Sequence, residues 1–574
     1  MQTEFDVIVL GSGAAGLSAA LTCRLAGMSV IVLEKTEYFG GSTAVSGGAV
    51  WVPQNQHMAS VGHSDSREKA LTYLRATVGK HLRPHMIDAF LQYGPEMVSF
   101  MEKNTDVHFI ARPVSPDYQP ELEGAATGGR TIDPAPFDGR LLGEMFNTLR
   151  PPIASFLALG GMMVNKKDIE ALLGMHKKAA SFKHAAGLIT RYARDRLRWK
   201  RGTRLLLGNA LAARLLKSAV DKGVMLEREV EVVRLSEAQG RVDGVMVKRG
   251  GTDTLLRAKR AVVLATGGFA QNAQMRAALI PHANVHRSMA PAGNTGDGFA
   301  LATPFGARLA AGNEGAAFWA PVSIMRDASG NETVFPHLVT DRQKPGVMAV
   351  NSAGRRFANE ASSYHEFVAA MHRSHEVTPC IPAWIICDQT FLRAYGLGLV
   401  RPRTFNLARF IDSGYLKRAE TISELANLIG VPGDALADSV ARMNSAAATG
   451  VDTDFKRGAS AYDRYLGDPA HTPNPCLGPI SAGPFYAVQI FPGDIGSSTG
   501  IEVDAHARVL DANNAPIAGL YACGNDMNSI MAGTYPSAGI TLGPALTFGY
   551  IAGKSIVEQA AKLDASVMHK EAHV

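Results

Sequence analysis

Cysteine is scarce: Cys23, Cys380, Cys387, Cys476 and Cys523 are the only five in 574 residues. They are odd in number and far apart, with no CxxC pair and no histidine spacing of zinc type. That argues against a disulfide framework and against a bound metal, and a reducing cytoplasm suits it best. Long apolar runs are also missing. No stretch reaches 18 consecutive apolar residues, so no segment is expected to cross a membrane. The opening Met1-Gln2-Thr3-Glu4-Phe5-Asp6 carries acids where a secretion signal needs a basic region. Charged residues make up only 19% of the chain, against 46% hydrophobic, a balance that excludes wholesale disorder. The length excludes a single small module.

Net charge is low, +6, but it is unevenly placed. Between Lys166 and Arg204 there are twelve basic residues and three acidic ones, a local +9 that exceeds the excess of the whole chain. A solvated basic helical face is the first reading of this run. Contact with an anionic membrane surface is the second, and it would make an otherwise cytoplasmic protein peripherally attached. No nucleic-acid-binding motif accompanies the basic residues, so nucleic acid is not an expected partner.

Glycine is plentiful, with 58 residues, about a tenth of the chain where about 7% is average. The glycines cluster beside apolar runs, as backbone does where it approaches a ligand. The β-branched run Phe5 to Leu10 leads into Gly11-Ser12-Gly13-Ala14-Ala15-Gly16, then a helix-forming stretch, then Ser29-Val30-Ile31-Val32-Leu33-Glu34. In this strand, turn, helix, strand order each residue has a physical task. Gly11 allows the tight turn, and Gly13 lets backbone approach a pyrophosphate at the helix N-terminus. Gly16 lets helix pack on strand, and Glu34 can accept from ribose hydroxyls. The next segment, Phe39-Gly40-Gly41-Ser42-Thr43-Ala44-Val45-Ser46-Gly47-Gly48, adds a second glycine- and hydroxyl-rich loop suited to wrapping a flavin, which separates FAD from NAD.

Further strands are predicted at Lys222 to Leu226, Val230 to Leu235, Val242 to Val247 and Ala261 to Phe269, the last ending on a glycine pair, and a helix opening at Arg204. Gly519-Leu520-Tyr521-Ala522-Cys523-Gly524-Asn525 repeats the strand-then-glycine pattern near the end. The fold class is therefore α/β (α+β overall), with a Rossmann-type nucleotide-binding domain that is discontinuous in sequence. The division predicted is 1–280 for that domain, with a largely helical insertion at 52–200, then an inserted catalytic domain at 281–484 and a return at 485–574.

Together Gly11–Gly16, Gly40–Gly48, Asn351-Ser352-Ala353-Gly354-Arg355-Arg356-Phe357-Ala358-Asn359-Glu360 and Gly519–Asn525 resemble the fumarate reductase and succinate dehydrogenase flavoprotein superfamily over nearly the whole chain. Within it the sequence is most similar to the 3-ketosteroid Δ1-dehydrogenases. Three motifs carry that: Ser46-Gly47-Gly48 followed by Val50-Trp51-Val52-Pro53, then Tyr535-Pro536-Ser537-Ala538-Gly539, then Gly543-Pro544-Ala545-Leu546-Thr547-Phe548-Gly549-Tyr550. The resemblance implies FAD contacts at Gly11, Gly13, Ala14, Ala15, Gly16, Glu34, Lys35, Gly41, Ser42, Thr43, Ser46, Gly47, Gly48, Val230, Ala265, Thr266, Gly267, Gly268, Asp297, Gly524, Asn525, Gly539 and Leu542. It implies non-covalent attachment, because the superfamily's flavin-linking His has no counterpart in Gly41-Ser42-Thr43-Ala44.

The resemblance also implies the chemistry, a 1,2-desaturation of 3-ketosteroids in steroid degradation. Tyr535 and the backbone N–H of Gly539 would bind the C3 carbonyl, Tyr364 would take the C2 proton, and flavin N5 would accept the C1 hydride. Tyr118 would assist Tyr364, and a quinone-like carrier would remove the electrons. A C2–H beside a ketone is acidic only if the enolate oxygen is stabilised, which two converging donors can do. A phenol of ordinary pKa near 10 is a weak base at neutral pH, so Tyr364 needs help from Tyr118 or from the positive Arg342. His365 is expected to be structural, and Asp494 a turn residue near the flavin.

Three alternatives remain at this stage. A Δ4-(5α)-dehydrogenase of the same steroids differs by a few pocket residues. A fumarate or enoate reductase would use Arg342 as its acid. However, the superfamily's dicarboxylate clamp is missing, since the corresponding stretches read Gly496-Ser497-Ser498-Thr499-Gly500 and Ile540-Thr541-Leu542-Gly543-Pro544, and there is no CxxCH haem site. A flavin-binding protein without turnover would have lost the tyrosine set, which is present.

Overall fold

The computed structural model describes residues 2–176, 178–249 and 251–571. Lys177 of the basic run, and the side chain of Lys166, lie outside what is described.

The first strand, Glu4–Leu10, is apolar on both faces, as a strand between two helical layers must be. It lies at the centre of an eight-stranded sheet, parallel to Val30–Glu34 on one side and to Thr252–Leu264 on the other. Met225–Arg228 extends the sheet beyond Val30–Glu34. The thirteen-residue strand Thr252–Leu264 serves two partners. Its first half pairs antiparallel with Arg241–Arg249, which in turn pairs with Glu231–Ala238, while Val262 to Leu264 pair parallel with Pro516–Ala522. The parallel strands therefore end on one edge, at Leu10, Glu34, Leu264 and Ala522. Nucleotides bind in the crevice beyond such an edge.

Helix Ala14–Leu25 covers this sheet and is itself covered by the last helix, Leu542–Glu571. The two touch backbone to backbone: Ser18 Oγ donates to Leu546 O at 2.8 Å, and a Cβ on Gly549 would stand 2.3 Å from Ala15 O.

A second sheet, four-stranded and antiparallel, runs in the order Val347–Val350, Ala383–Asp388, Phe485–Ile490, Leu416–Ala419. Leu425, Leu436 and Met443 of helices Ile422–Ile429 and Gly433–Thr449 pack with Met348 and Ile386 on one of its faces. Phe367, Val368 and Met371 of helix Tyr364–His375 pack with Ile385 and Val488 on the other. The core contacts of that last helix hold its first residue, Tyr364, in place. In the region 52–200, helices Arg67–Val78, Pro84–Asn104, Lys166–Gly174 and Ala179–Arg196 alternate with short strands and 3-10 turns.

One element starts later than its sequence suggests. Arg204–Leu205 is not helical but pairs with Phe137–Asp138, and the helix runs over Leu207–Asp221. The reason is local: Leu206 is extended and Leu207 takes a φ of +55°, so helical geometry cannot begin before them. Helix propensity at Arg204 and Leu205 yields to a strand partner that a single sequence does not reveal.

Candidate active site

Two groups of residues stand out, one suited to a dinucleotide and one to an organic substrate. At the first, Gly11 has φ +108°, and a Cβ there would lie 2.1 Å from Ala265 O, so only glycine can make the turn. A Cβ on Gly41 would point at Gly13 from 3.6 Å, whereas one on Gly13 would meet only Thr43 Oγ1, at 3.7 Å. The two glycines thus leave a cradle that any side chain would enter. Thr43 Oγ1 accepts from Ala14 N at 2.9 Å. Among the described residues the N–H groups of Ala15 and Gly16 have no protein acceptor. These free donors at the N-terminus of a twelve-residue helix fit a diphosphate.

Glu34, buried at the end of its strand, is oriented by Ser12 Oγ at 2.6 Å and by Thr36 Oγ1 at 2.8 Å, and its backbone oxygen accepts from Val230 N. Lys35 pairs with Asp297 at 2.6 Å. Ser46 and Gly48 are tied by a hydrogen bond from Gly48 N to Ser46 Oγ. The structure adds two residues that sequence reasoning missed. The buried carboxylate of Asp526 accepts from Thr266 N, Thr266 Oγ1 and Gly268 N, which fixes the loop Ala265-Thr266-Gly267-Gly268. Asn294 donates to Ser42 Oγ and to Gly267 O, both at 2.9 Å, and joins that loop to the second glycine loop. The only sequence signal for Asp526 is its place directly after Gly524-Asn525, and Asn294 has none.

In the second group four tyrosines converge. Tyr118 stacks on Tyr535 with centroids 5.5 Å apart, and it lies 5.8 Å from Tyr364 and 4.6 Å from Tyr462. Tyr364 and Tyr535 are 5.2 Å apart. All four are buried. Burial, first of all, holds the phenols of Tyr118 and Tyr364 well above the usual value; Tyr118 and Tyr535 add to it at Tyr364, while at Tyr118 the hydrogen bond with Tyr364 opposes it. Tyr535 is pushed up to about 12 by burial, opposed by its hydrogen bonding to Tyr364 and Thr541. A phenol that keeps its proton is a good donor, which suits Tyr535. For Tyr364 to act as a base the environment has to favour its anion.

Four residues after Tyr535, Gly539 has φ +97°, and a Cβ there would stand 2.6 Å from Trp51 N. Its carbonyl accepts from Trp51 N at 3.1 Å, while its own N–H has no protein acceptor among the described residues. A hydroxyl and a free amide are thus available as a pair of donors.

Tyr462 was not foreseen, because Ala461-Tyr462-Asp463 carries no motif. Arg342, by contrast, is engaged with backbone near Tyr364. Its guanidinium donates to the carbonyls of His337, Leu338, Glu360 and Ser362 and lies over Phe367. Its charge bears on Tyr462, where it opposes the effect of burial. That commitment leaves it bracing the chain rather than free to deliver a proton to an enoate. Asp494 is no turn residue: it lies in strand Gly493–Ser497, is fully buried, and contacts Arg276 at 3.2 Å, His286 at 3.3 Å and Ser288 Oγ at 2.6 Å. The turn-like Pro492-Gly493 precedes a strand whose partners, Arg287–Ser288 and Ala317–Trp319, are distant in sequence. His365 is structural, as expected; its Nδ1 accepts from Trp319 N at 3.1 Å, and burial holds it down at about 3, hence neutral.

A family profile described as FAD binding domain matches residues 6–542. The chain belongs to this FAD-binding family. FAD is its cofactor, and it is an FAD-dependent oxidoreductase. Among the relatives of this flavoprotein is the 3-oxosteroid 1-dehydrogenase of Mycobacterium tuberculosis, 38% identical, with 97% of this chain and 99% of the relative covered. A 4-oxocyclohex-2-ene-1-carboxylate 5-dehydrogenase of Sinomonas cyclohexanicum is 37% identical over 97% of this chain and 94% of the relative. Among solved structures, 3-ketosteroid Δ1-dehydrogenase from Sterolibacterium denitrificans in complex with 1,4-androstadiene-3,17-dione superposes with a TM-score of 0.89 at 37% identity. That match covers 97% of this chain and all of the other.

Proposed function

We propose that this flavoprotein is a 3-ketosteroid Δ1-dehydrogenase, and the observation that carries the reading is the meeting of Tyr118, Tyr364 and Tyr535, with the free N–H of Gly539 four residues along the chain from Tyr535. FAD, held non-covalently in the glycine cradle, supplies the two-electron acceptor for the hydride that leaves C1. Tyr535 Oη and Gly539 N donate to the C3 carbonyl oxygen, where negative charge develops as the C2–H bond breaks. Tyr364, as the phenolate, takes the C2 proton and becomes neutral, with Tyr118 as its hydrogen-bond neighbour. The C1–C2 double bond forms from the electron pair of the broken C2–H bond as the hydride departs. A quinone-like carrier then receives the electrons. Residues 1–280 and 485–574 form the FAD-binding domain in this reading, and 281–484 the domain that caps the substrate.

The similarity to a 4-oxocyclohexenecarboxylate dehydrogenase supports a second reading, in which a monocyclic keto acid undergoes the same desaturation. A carboxylate asks for a cation, and the guanidinium groups around the tyrosines are already committed: Arg112 to Asp133, Arg130 to Asp65 and Asp117, Arg342 to backbone carbonyls. A neutral, apolar ketone therefore suits the site better. The deciding measurement mixes oxidised enzyme anaerobically with 4-androstene-3,17-dione, then separately with 4-oxocyclohex-2-ene-1-carboxylate, and follows the flavin absorbance. Bleaching by the steroid with a new C1–C2 double bond in the product is expected. Bleaching only by the keto acid, or only by a 5α-saturated steroid, overturns the reading in favour of the corresponding substrate.

The basic run belongs to this reading too, as a surface that meets an anionic membrane, where a steroid partitions. Helix Ala179–Arg196 exposes Phe182, and Leu197 just beyond it is 88% exposed. The hairpin at Leu157–Met163 exposes Leu159 and accepts a hydrogen bond from Arg401, four residues before the 95% exposed Phe405. Basic and large apolar side chains thus share one side of the molecule. No helix among the described residues is long and apolar enough to cross a membrane. Each Lys or Arg near an anionic leaflet contributes about 1 kcal/mol, lost as salt screens it. Co-sedimentation with phosphatidylserine vesicles at low salt, released by high salt and absent with neutral vesicles, is the expected result. Equal recovery in the supernatant under all conditions excludes the contact.

A further inference from the structure

The proposed catalytic groups come from segments far apart in sequence, and a buried ionic network ties three of them together. The Arg130 guanidinium, 1% exposed, donates to both oxygens of Asp65, at 2.7 and 2.8 Å, and to Asp117 Oδ2 at 2.8 Å. The other oxygen of Asp117 accepts from the indole Nε1 of Trp51 at 3.0 Å. Arg130 lies over the rings of Trp51 and Tyr73, 5.9 and 5.7 Å from their centroids.

Each end of this network reaches a proposed catalytic group through backbone. Asp117 immediately precedes Tyr118, whose N–H donates to Pro536 O at 2.9 Å. Tyr73 Oη donates to the same Pro536 carbonyl at 2.6 Å, and Pro536 immediately follows Tyr535. Trp51 N donates to Gly539 O, which fixes the peptide next to the amide proposed to grip the ketone. Thr131, next to Arg130, donates through Oγ1 to Ala538 O at 3.1 Å. The network therefore sets the distance between Tyr535 Oη and Gly539 N and the placement of Tyr118 against both.

Resting on the proposed desaturation, we propose that Asp117, Arg130 and Trp51 are positioning residues that hold the two carbonyl donors and the assisting phenol in register. Burying one guanidinium with two carboxylates is an expensive way to stabilise a fold. What it gives here is directional rigidity, because a bidentate pair fixes angle as well as distance. Oxyanion donors act only at their proper separation, and misplacement by about 1 Å costs on the order of a hundredfold in rate.

The test is Trp51→Phe, which removes the indole N–H, keeps an aromatic ring against Phe90, and leaves Arg130 paired with both carboxylates, so that no buried charge is orphaned. Wild type and variant, both FAD-loaded, are mixed anaerobically with 4-androstene-3,17-dione over a range of concentration and pH. Slowing of flavin bleaching at saturating steroid by roughly tenfold to a hundredfold is expected, with little change in the steroid's dissociation constant. The pH profile of the rate should also shift, because Tyr118 and Tyr364 share a hydrogen bond that bears on the titration of both. Asp117→Asn, which keeps the Trp51 acceptor but releases one arm of Arg130, should move both readouts in the same direction; if it does not fold, Trp51→Phe decides. A folded, FAD-loaded Trp51→Phe with the wild-type rate and pH profile overturns the proposal. A wild type that fails to bleach overturns the functional reading instead, so the two failures are distinct.

Discussion

Tyr364→Phe is expected to slow flavin reduction by a 3-ketosteroid by roughly 10²–10⁴-fold, the usual contribution of a positioned general base. The substitution removes one oxygen from a buried phenol and leaves the ring contacts with Tyr118 and Tyr535 in place, so FAD content and folding should be unaffected. The pH dependence tests the same assignment independently. If Tyr364 is the base, its reactive form is the phenolate, and burial holds the phenol well above its usual value. At neutral pH only a small fraction is ionised, and the rate of bleaching should climb by about tenfold per pH unit through neutral and alkaline solution until that pKa is passed. In Tyr364→Phe the climb should vanish along with the rate. A phenylalanine variant that bleaches at near wild-type speed, or that retains the climb, moves the proton transfer to another residue.

Tyr535→Phe should cost roughly 10²–10³-fold, the loss seen when one of two oxyanion donors is removed and the other remains. Here the remaining donor is a backbone amide, that of Gly539, which the substitution does not touch. The loss should appear mainly in the bleaching rate at saturating steroid, because a ketone in the ground state carries little charge on its oxygen and the enolate carries much more. The two variants differ in their pH behaviour. Tyr535→Phe keeps the base and so keeps the climb with pH, displaced downward by a constant factor. A weakened dissociation constant with an unchanged bleaching rate would mean that Tyr535 binds the ketone without stabilising the enolate.

The nucleotide half of the molecule was legible because its chemistry is local. Gly11, Gly13 and Gly16 lie within one turn and Glu34 at the end of the next strand, so spacing alone carries the geometry. Asp526 and Asn294 do their work 260 and 252 residues from the groups they hold, and nothing in their neighbourhoods announces it. The same holds in the tyrosine cluster. Tyr364 and Tyr535 stand in recognisable motifs, whereas Tyr462, in helix Ala461–Leu466, meets Tyr118 from far along the chain. Arg342 shows the reverse case. A cation nine residues before Asn351 was visible, but the sequence did not reveal that backbone carbonyls of His337, Glu360 and Ser362 would use its donors. Backbone acceptors leave no mark in a sequence. Arg204 and Leu205 were misjudged for a related reason, since strand pairing with Phe137–Asp138 is a tertiary fact.

The seam between Ala14–Leu25 and Leu542–Glu571 has a consequence for biosynthesis. The hydrogen bond from Ser18 to Leu546 spans 528 residues, and at ribosomal speeds of about 5–20 residues per second the first helix waits roughly half a minute to two minutes for its cover. Strand Pro516–Ala522, which completes the parallel part of the sheet, is equally late. The nascent chain therefore carries an uncovered apolar helix face beside an unfinished sheet for nearly the whole of translation, which makes it a natural client for holding chaperones.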